Sequence, residues 1–510
     1  MKLKFKDYRD KVLGCWWGKT AGGTLGAPFE CYRGVIDLDN YTQENPAGIP
    51  NDDLDIQLVF LRAAEKYHNR VDSHILAEYW LTYVSASMSE YGAGKNNLRN
   101  GIAPPLSGAV GNPNKHSCGA YIRSEIWACL CAGYPELAAR YAFEDAIADH
   151  AGEGVYGEIF CAALEAQAFF ESDIEILIQK SLGFIPDGCG VAKGVKCVME
   201  AYKKGIDWKS ARVKLLNAVP GSFGMISGYY NGQKPEGDVP EGEHGYDAPS
   251  NVAIGVLGLL YGEKDFGRTI CIAAGCMEDA DCTAGLAGAV LGIILGCKNL
   301  PKKWIKPLGN KIATWCLRID GYLNLPKTID ELSERVLRLT PIFLGSGIAD
   351  TLSKGEGYEI ESGKNVFGAY DSFIADQIGS PDFKKVISRI PDCVLYRDVL
   401  FDTYIQYLNG QAVAVGEEKV FKLKFWNNIL DQQWLNLKVH TPEGCEVLPS
   451  KTAAVSLDQK HGGFNLAECG FSIRLNSCSS SRLDIVLEII SNGRYTKTFI
   501  PITLTVKWQQ

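Results

Sequence analysis

The sequence has 510 residues, of which 46% are hydrophobic and 22% charged, and it carries a net charge of −8. This length exceeds one ordinary domain, so we expect two or three. The composition is typical of a soluble globular protein. Since no Lys/Arg-rich run occurs, neither nucleic acid nor a membrane surface is expected as a partner.

Segments that would direct the chain into or across a membrane are not expected either. The longest apolar stretch, AGLAGAVLGIILG at 284–296, is shorter than the roughly 18 residues of a membrane span. The N-terminus, MKLKFKDYRDKVLG, lacks the hydrophobic region of a signal peptide. The 17 cysteines contain no CxxC pair, which favours reduced thiols and a cytoplasmic protein.

Residues 1–350 predict a mainly helical domain, because Ala-, Leu- and Gly-rich segments recur with helical spacing. Helices are predicted at 9–21, 53–67, 75–87, 119–132, 135–148, 155–171, 190–204, 250–261, 284–296 and 329–338. The segment 221–249 is rich in Gly, Pro and acidic residues, and it predicts a loop over a site or a flexible excursion.

The C-terminal part predicts strands. Apolar and polar residues alternate at 418–428, 434–440, 471–476, 482–490 and 497–506, with an SNGR turn between the last two. We therefore expect a small all-β sandwich at 411–510. The intervening residues 351–410 are interpreted as a linker with some helical segments.

The first candidate site motif is GCWWGKTAGGTLGAPFE at 14–30. It predicts a glycine-rich helix that ends in a turn through Pro28 and reaches Glu30. Taken alone, this pattern is better explained by a packed helix followed by a solvent-facing acid.

The second motif is NDDLDIQLVFLRAAEKY at 51–67. Asn51 or Asp52 is a candidate N-cap, and leucines at helical spacing give the helix a buried stripe. Asp52, Asp53 and Asp55 either favour the helix dipole or bind a cation.

The third motif is MEDADCTAGLAGAVLGIILG at 277–296. Glycine costs roughly 1 kcal/mol per helix position relative to alanine, so its repetition at every third or fourth position indicates close helix-to-helix approach. Asp279 and Asp281 then lie at the start of a central helix. A charge preference at helix starts explains one acid more easily than the three in this motif.

Together the three motifs supply several carboxylates and a further Glu. Oxygen ligands of this kind suit Mg²⁺, Mn²⁺ or Ca²⁺, and crowded carboxylates without a cation would repel one another and partly protonate. A pair of divalent ions about 3.5–4 Å apart would neutralise them and could activate a water. We therefore hypothesise a metal pair.

The motifs also resemble those of the ADP-ribosylglycohydrolase family. The matching stretches are GGTLGAPFE, NDDL and DADCTAGLAGAVLG, together with GAYIR at 119–123 and the histidine of ADHAGEG. Their order and spacing agree over roughly residues 8–340. The resemblance implies an all-helical fold with two Mg²⁺ or Mn²⁺ ions.

Carried over position by position, the resemblance implies a set of site residues. The implied metal ligands are Asn51, Asp52, Asp53, Asp279, Asp281 and Cys282, with Glu30 as an addition. Glu30 or Asp53 would be the base that readies the water. Gly119 and His150 would line the substrate pocket, although a satisfied structural histidine is an equal alternative for His150.

Three positions depart from the family pattern. Gly23 stands where the family usually has Asp, Asn51 where it has Thr, and Cys282 where it has Thr. An amide oxygen can still coordinate, but a thiol is a soft and poor partner for Mg²⁺. Thr283 or a water could replace it, so we expect one weakened metal site or a site tuned for a different substrate.

The predicted function is a metal-dependent glycohydrolase that cleaves an N- or O-glycosidic bond of an ADP-ribosyl or related ribosyl substrate. The substrate could be an ADP-ribosylated protein or a small nucleoside or nucleotide conjugate. The alternative is a non-catalytic protein that binds ADP-ribose or a nucleotide. The β-sandwich could bind carbohydrate or protein through Trp426 or Trp434, or it could brace the helical domain. Core packing is the other expectation for these tryptophans.

Overall fold

The structure, a computed structural model, describes residues 1–30, 32–219, 245–318, 323–345, 349–351, 357–363, 393–461, 465–494 and 497–507. The chain divides into two compact units. The first comprises residues 1–95 and 104–364, and the second comprises residues 96–103 and 365–510. Most of the predicted loop at 221–249 lies outside the described residues.

Sixteen α-helices lie between residues 5 and 344 of the described part, which confirms the mainly helical prediction. They are α1 (Phe5–Gly26), α2 (Asp52–Tyr67), α3 (Ser73–Tyr83), α4 (Ser89–Arg99), α5 (Leu106–Ala109), α6 (Glu125–Leu130), α7 (Pro135–Ala146), α8 (Glu153–Ala168), α9 (Ile174–Ser181), α10 (Gly190–Lys203), α11 (Trp208–Ala218), α12 (Ala248–Tyr261), α13 (Phe266–Gly275), α14 (Ala280–Leu295), α15 (Lys302–Ile305) and α16 (Ile329–Leu344). Within the described residues, none of these helices has the length and apolar character needed to cross a membrane.

The centre of the first unit is an antiparallel contact between α1 and α14. A Cβ added to Gly18 would lie 2.0 Å from the carbonyl oxygen of Gly288, and one added to Gly26 would lie 2.2 Å from that of Ala280. Since no real side chain tolerates such distances, the two backbones touch only because these positions lack a side chain. The contact confirms the close helix approach predicted from the third motif.

Two small sheets complete the first unit. Their strands are β1 (Lys2–Lys4), β2 (Tyr32–Arg33), β3 (Met277–Glu278), β4 (Ala349–Thr351) and β5 (Tyr358–Glu361). One sheet has the order β1-β5-β4, and β2 pairs with β3. Strand β5 lies beyond residue 350, the predicted end of the helical domain. It still belongs to the first unit, because it pairs with β1 at the N-terminus.

The described residues of the second unit form two five-stranded sheets, in agreement with the predicted sandwich. The strands are β6 (Cys393–Arg397), β7 (Phe401–Tyr407), β8 (Ala412–Val413), β9 (Glu418–Asn427), β10 (Gln433–His440), β11 (Cys445–Leu448), β12 (Thr452–Leu457), β13 (Leu466–Leu475), β14 (Arg482–Ser491) and β15 (Lys497–Val506). The sheet orders are β12-β10-β14-β15-β8 and β11-β13-β9-β7-β6. Buried and outward positions alternate along β9 and β10, as expected for a sheet with one face on the core.

Strands β6 and β7 correct the prediction for 351–410, where helical segments were expected and the sandwich was to begin only at 411. In β7, Phe401, Thr403, Ile405 and Tyr407 all point inward. The sequence pattern did not indicate this strand, because a polar threonine occupies one of the inward positions. Thr403 is nevertheless buried, at 1% exposed.

Two tryptophans of the sandwich, Trp426 and Trp434, are not core residues. Trp426 is 37% exposed and Trp434 is 55% exposed. They occupy outward positions on β9 and β10, which belong to different sheets. Because the outer faces of a sandwich look in opposite directions, the two rings do not share one platform.

Candidate metal centre

Glu30 and Asp279 are brought together by the contact of α1 with α14. The chain leaves α1 through a short turn that contains Pro28 and reaches Glu30. Strand β2 follows immediately and pairs with β3, so that Tyr32 lies opposite Glu278. Asp279 comes directly after β3 and is the N-cap residue of α14. Residues almost 250 positions apart in sequence thus share one site.

The start of α2 meets the start of α14 at the same place. Asn51 is the N-cap of α2, since its Oδ1 accepts a hydrogen bond of 2.8 Å from the backbone N–H of Asp53. Its Nδ2 donates to Oδ2 of Asp281 at 3.2 Å. The positive ends of two helix dipoles therefore converge on these carboxylates.

Two overlapping groups of side chains have a geometry that could hold an ion. In one group, ligand atoms of Glu30, Asp279 and Asp281 all lie within 4.8 Å of one another. In the other, ligand atoms of Asp53, Asp281 and Cys282 do the same. Asp281 belongs to both groups, as expected for a carboxylate between two neighbouring ions.

Asp52 lies beside these two groups. Its Oδ2 accepts a hydrogen bond of 3.0 Å from the hydroxyl of Tyr91. Burial raises the pKa of Asp52 to about 7, with further contributions from the negative charges of Asp53 and Glu30. Burial is the larger of these effects, and the neighbouring negative charges add to it.

The same two effects act at the start of α14. Burial, followed by the neighbouring carboxylates, raises the pKa of Asp279 and of Asp281 well above the ordinary value. Lys19 is a buried cation at this centre, and its Nζ lies 3.0 Å from Oδ2 of Asp53 and 3.0 Å from Oε1 of Glu125. One lysine does not balance so many acids.

The donors present fit a divalent cation. Asp279 is only 2% exposed, and its Oδ1 has no hydrogen-bond partner, although its backbone N–H donates to Asn251 at 3.1 Å. A buried carboxylate oxygen without a partner is costly unless a cation faces it. Carboxylate-rich sites suit Mg²⁺, Mn²⁺ and Ca²⁺. The exception is Cys282, whose thiol donates to Oδ1 of Asp53 at 3.3 Å.

Gly119 and His150 lie around a buried ion-pair cluster. A Cβ on Gly119 would lie 2.9 Å from the ring of Tyr91, the donor to Asp52. His150 is fully buried, with Nδ1 2.9 Å from Asp149 and Nε2 3.1 Å from the hydroxyl of Ser117. These contacts are those expected of a structural histidine, which was the alternative at this position.

The arginine of the GAYIR motif organises this cluster. Arg123 is fully buried and lies 2.7 Å from Asp145 and 2.6 Å from Asp149. It also donates to the carbonyl oxygen of Gly119 at 2.6 Å. Arg123 therefore fixes the backbone that carries Gly119.

Several functional neighbours were missed from the sequence. Lys19 is the only charged residue in the glycine-rich second half of α1, residues 12–26, and this was the available signal for a buried ion pair. Tyr91 and Asn251 carry no local signal, because only the packing of α4 and α12 brings them to the centre. Glu278 is the one acid of the third motif that belongs to neither ligand group. It pairs with Arg33 and Arg212, at 2.8 and 3.3 Å.

The fold and the site together define a helical protein with an acidic centre suited to divalent cations. The ADP-ribosylglycohydrolase family model matches residues 5–341, and the chain belongs to this family. No curated protein matches the sequence.

Solved structures that are similar to parts of the chain include the following two. An "ADP-ribosylglycohydrolase-related protein complex" is 17% identical and covers 66% of this chain and 100% of its own, with a TM-score of 0.41. The FixG-related protein from Vibrio parahaemolyticus is 12% identical and covers 21% of this chain and 98% of its own, with a TM-score of 0.18. Neither likeness is close enough to carry an argument about function.

Proposed function

We propose that the protein is a metal-dependent glycohydrolase that cleaves an N- or O-glycosidic bond of an ADP-ribosyl or related ribosyl substrate. Family membership supports hydrolysis of this general type. The observation that carries the proposal is the pair of ligand groups that share Asp281. It supports two Mg²⁺ or Mn²⁺ ions, held by Asp52, Asp53, Asp279 and Asp281 together with Glu30.

The bound ions would lower the pKa of a water and bind the ribose hydroxyls. The chain itself must supply the base. Asp53 is only 1% exposed, and its two oxygens lie against Cys282 and Lys19. Glu30 is partly exposed at the end of the turn after α1. Of the two candidate bases, Glu30 is therefore the better placed to take a proton from a water that enters from solvent.

Turnover assays test the proposal directly. Purified protein with Mg²⁺ or Mn²⁺ is incubated with ADP-ribosyl-arginine, with ADP-ribosyl-serine and with nucleoside conjugates. We expect release of the aglycone from at least one of them. Asp281→Ala and Asp52→Ala should each lower kcat/KM by at least about 100-fold, since each removes charge stabilisation at the reacting centre. Asp187→Ala, at an almost fully exposed carboxylate, is the matched control.

Circular dichroism should show that both Ala variants keep their helices. Unchanged turnover in either variant would remove that residue from the site.

The competing proposal is a protein that binds ADP-ribose or a nucleotide without hydrolysing it. Gly23 and Cys282, two of the positions that depart from the family pattern, favour it, and the carboxylate cluster disfavours it. Calorimetry with ADP-ribose separates the two proposals. Metal-dependent binding without turnover of any glycosidic substrate would favour the binding protein.

A further inference from the structure

The two ligand groups differ in chemistry although they share Asp281. Glu30, Asp279 and Asp281 offer carboxylate oxygens only, whereas the second group combines Asp53 and Asp281 with the sulfur of Cys282. Hard divalent ions such as Mg²⁺ prefer oxygen, and a thiolate selects ions of the Zn²⁺ class. The two groups are therefore not expected to take the same ion.

The position of the sulfur is fixed by the fold. Cys282 lies in the first turn of α14 and is 6% exposed. Its Sγ is 3.3 Å from Oδ1 of Asp53, and its backbone N–H donates to Oδ1 of Asp281 at 2.9 Å. Because the glycine contact with α1 holds α14 in place, the thiol stays between the two acids.

Thr283 does not take the place of this sulfur. Its hydroxyl lies 3.2 Å from the carbonyl oxygen of Ala280 and 3.4 Å from that of Ala273. These are the backbone contacts of a threonine that bonds to its own helix and to the helix beside it. The hydroxyl is therefore already used, and Cys282 is the available ligand at this turn.

The charges of the second group match a divalent ion. As ligands, Asp53, Asp281 and Cys282 carry three negative charges, and Lys19, 3.0 Å from Asp53, carries one positive charge. Lys19 also pairs with Glu125 at 3.0 Å, so it offsets only part of this charge, and one M²⁺ ion would neutralise most of the rest. A sulfur–metal bond forms, the thiol proton leaves to solvent, and no oxidation state changes.

We propose that the centre is built for two unlike ions, with a thiophilic ion of the Zn²⁺ class bound by Asp53, Asp281 and Cys282. The oxygen-only group binds the hard ion, Mg²⁺ or Mn²⁺. This inference rests on the proposed metal centre and replaces one of its two Mg²⁺ or Mn²⁺ ions with a softer ion. It explains why a soft ligand stands in a site otherwise made of oxygens.

Cobalt is the probe, because a Co²⁺–thiolate bond gives a charge-transfer band in the near ultraviolet. The full-length metal-free protein is first loaded with Mg²⁺ and then titrated with Co²⁺. We expect the band to saturate at one Co²⁺ per chain. Cys282→Thr should abolish it, and Cys282→Ser, which is closer in volume, serves if the Thr variant does not fold.

The matched control is Cys118→Ser. Cys118 is also a buried thiol, and it faces Asp279, but it lies outside both ligand groups. This variant should keep the band. In equilibrium dialysis, the affinity for Zn²⁺ should fall at least about tenfold in Cys282→Thr, with binding of Mg²⁺ unchanged.

A wild-type protein without the band, or a band that persists in both Cys282 variants, would overturn the inference. Turnover is measured separately on the same samples. A band without turnover of any glycosidic substrate defeats the proposed hydrolase and leaves the soft site standing. Turnover with Mg²⁺ and no band defeats the soft site alone.

Discussion

Lys19 shows how one residue sets the balance of charge in the centre. Burial alone lowers the pKa of a lysine, but Asp53 and Glu125 outweigh this effect and raise the pKa of Lys19 well above its ordinary value. The lysine therefore stays charged in a site where it is 2% exposed. It neutralises part of the repulsion that the carboxylates exert before any metal ion binds.

Replacing Lys19 with Met should lower the free energy of unfolding of the metal-free protein by about 3–5 kcal/mol, because two buried acids lose their partner. Chemical denaturation, followed by a signal of the first unit such as its helical circular dichroism, measures this change. Arg268→Met is the control, since its pair with Glu263 is exposed and should contribute less than about 1 kcal/mol. Equal effects of the two substitutions would contradict the role given to Lys19.

Asp149 gives a prediction about pH. Burial raises its pKa, but Arg123 and His150 outweigh burial and lower the pKa to about 2. A lowered pKa means that ionised Asp149 stabilises the fold above the unfolded value near 4 and that this stability is lost as pH falls towards 2. The loss should be about 2 kcal/mol.

Unfolding midpoints between pH 6 and pH 2 check this expectation. Asp149→Asn should be less stable at pH 6 yet show a shallower further fall in acid than the wild type. Asp187→Asn, at an exposed carboxylate, should follow the wild-type curve. Parallel curves for the wild type and Asp149→Asn would show that Asp149 does not drive the acid transition.

At the scale of elements, the glycine contact between α1 and α14 was predictable and its partner was not. Glycines at helical spacing announce close packing, but they do not say against which helix. Six helices of the described part lie outside the predicted ranges: α4, α5, α9, α11, α13 and α15. All six are short, and their sequences are rich in charged, β-branched or glycine residues or span only four residues. Their helical form is decided by packing rather than by local preference.

Replacing Gly288 with Ala tests this contact. The added Cβ would lie 2.2 Å from the carbonyl oxygen of Gly18, so the helices must separate. We expect the free energy of unfolding to fall by about 1–3 kcal/mol. Binding of Mn²⁺, measured by calorimetry, should also weaken, because the ligand that follows α1 and those at the start of α14 would move apart. Gly183→Ala, where an added Cβ meets nothing within 4 Å, should leave both measurements unchanged.

At the scale of the whole molecule, both fold classes were predictable because each pattern has its own period. The carboxylates at helix starts were predictable as motifs, and their shared oxygen chemistry joined them into one hypothetical metal site before the resemblance implied the individual ligands. What could not be predicted were contacts over long sequence distances, such as the pairing of β1 with β5 or the hydrogen bond from Tyr91 to Asp52. Such contacts follow from packing and leave no local trace.

The pairing of β1 with β5 predicts where the first unit can be cut. Tyr358 of β5 is 7% exposed, its ring lies 5.1 Å from that of Phe5, and its hydroxyl donates to the carbonyl oxygen of Leu337 at 2.7 Å. A chain of residues 1–364 should therefore fold and retain turnover, whereas residues 1–350 should melt at a lower temperature. Calorimetry and the turnover assay compare the two.

The same truncation tests the role of the second unit. If residues 1–364 lose solubility, the sandwich serves as a brace. If they lose only one class of substrate, the sandwich serves in recognition.

Equal melting temperatures of the two truncated chains would contradict the importance given to β5.

The contact of Gly14 with Gly292 also bears on how the chain is made. About 280 residues separate these two positions, and at roughly 5–20 residues per second the ribosome needs on the order of 15–60 seconds to make that length. During this time the first helix has emerged while its partner does not yet exist. The glycine face of α1 then contacts water or a chaperone in place of α14. The newly made chain can therefore misfold until the ribosome has translated the last turn of α14.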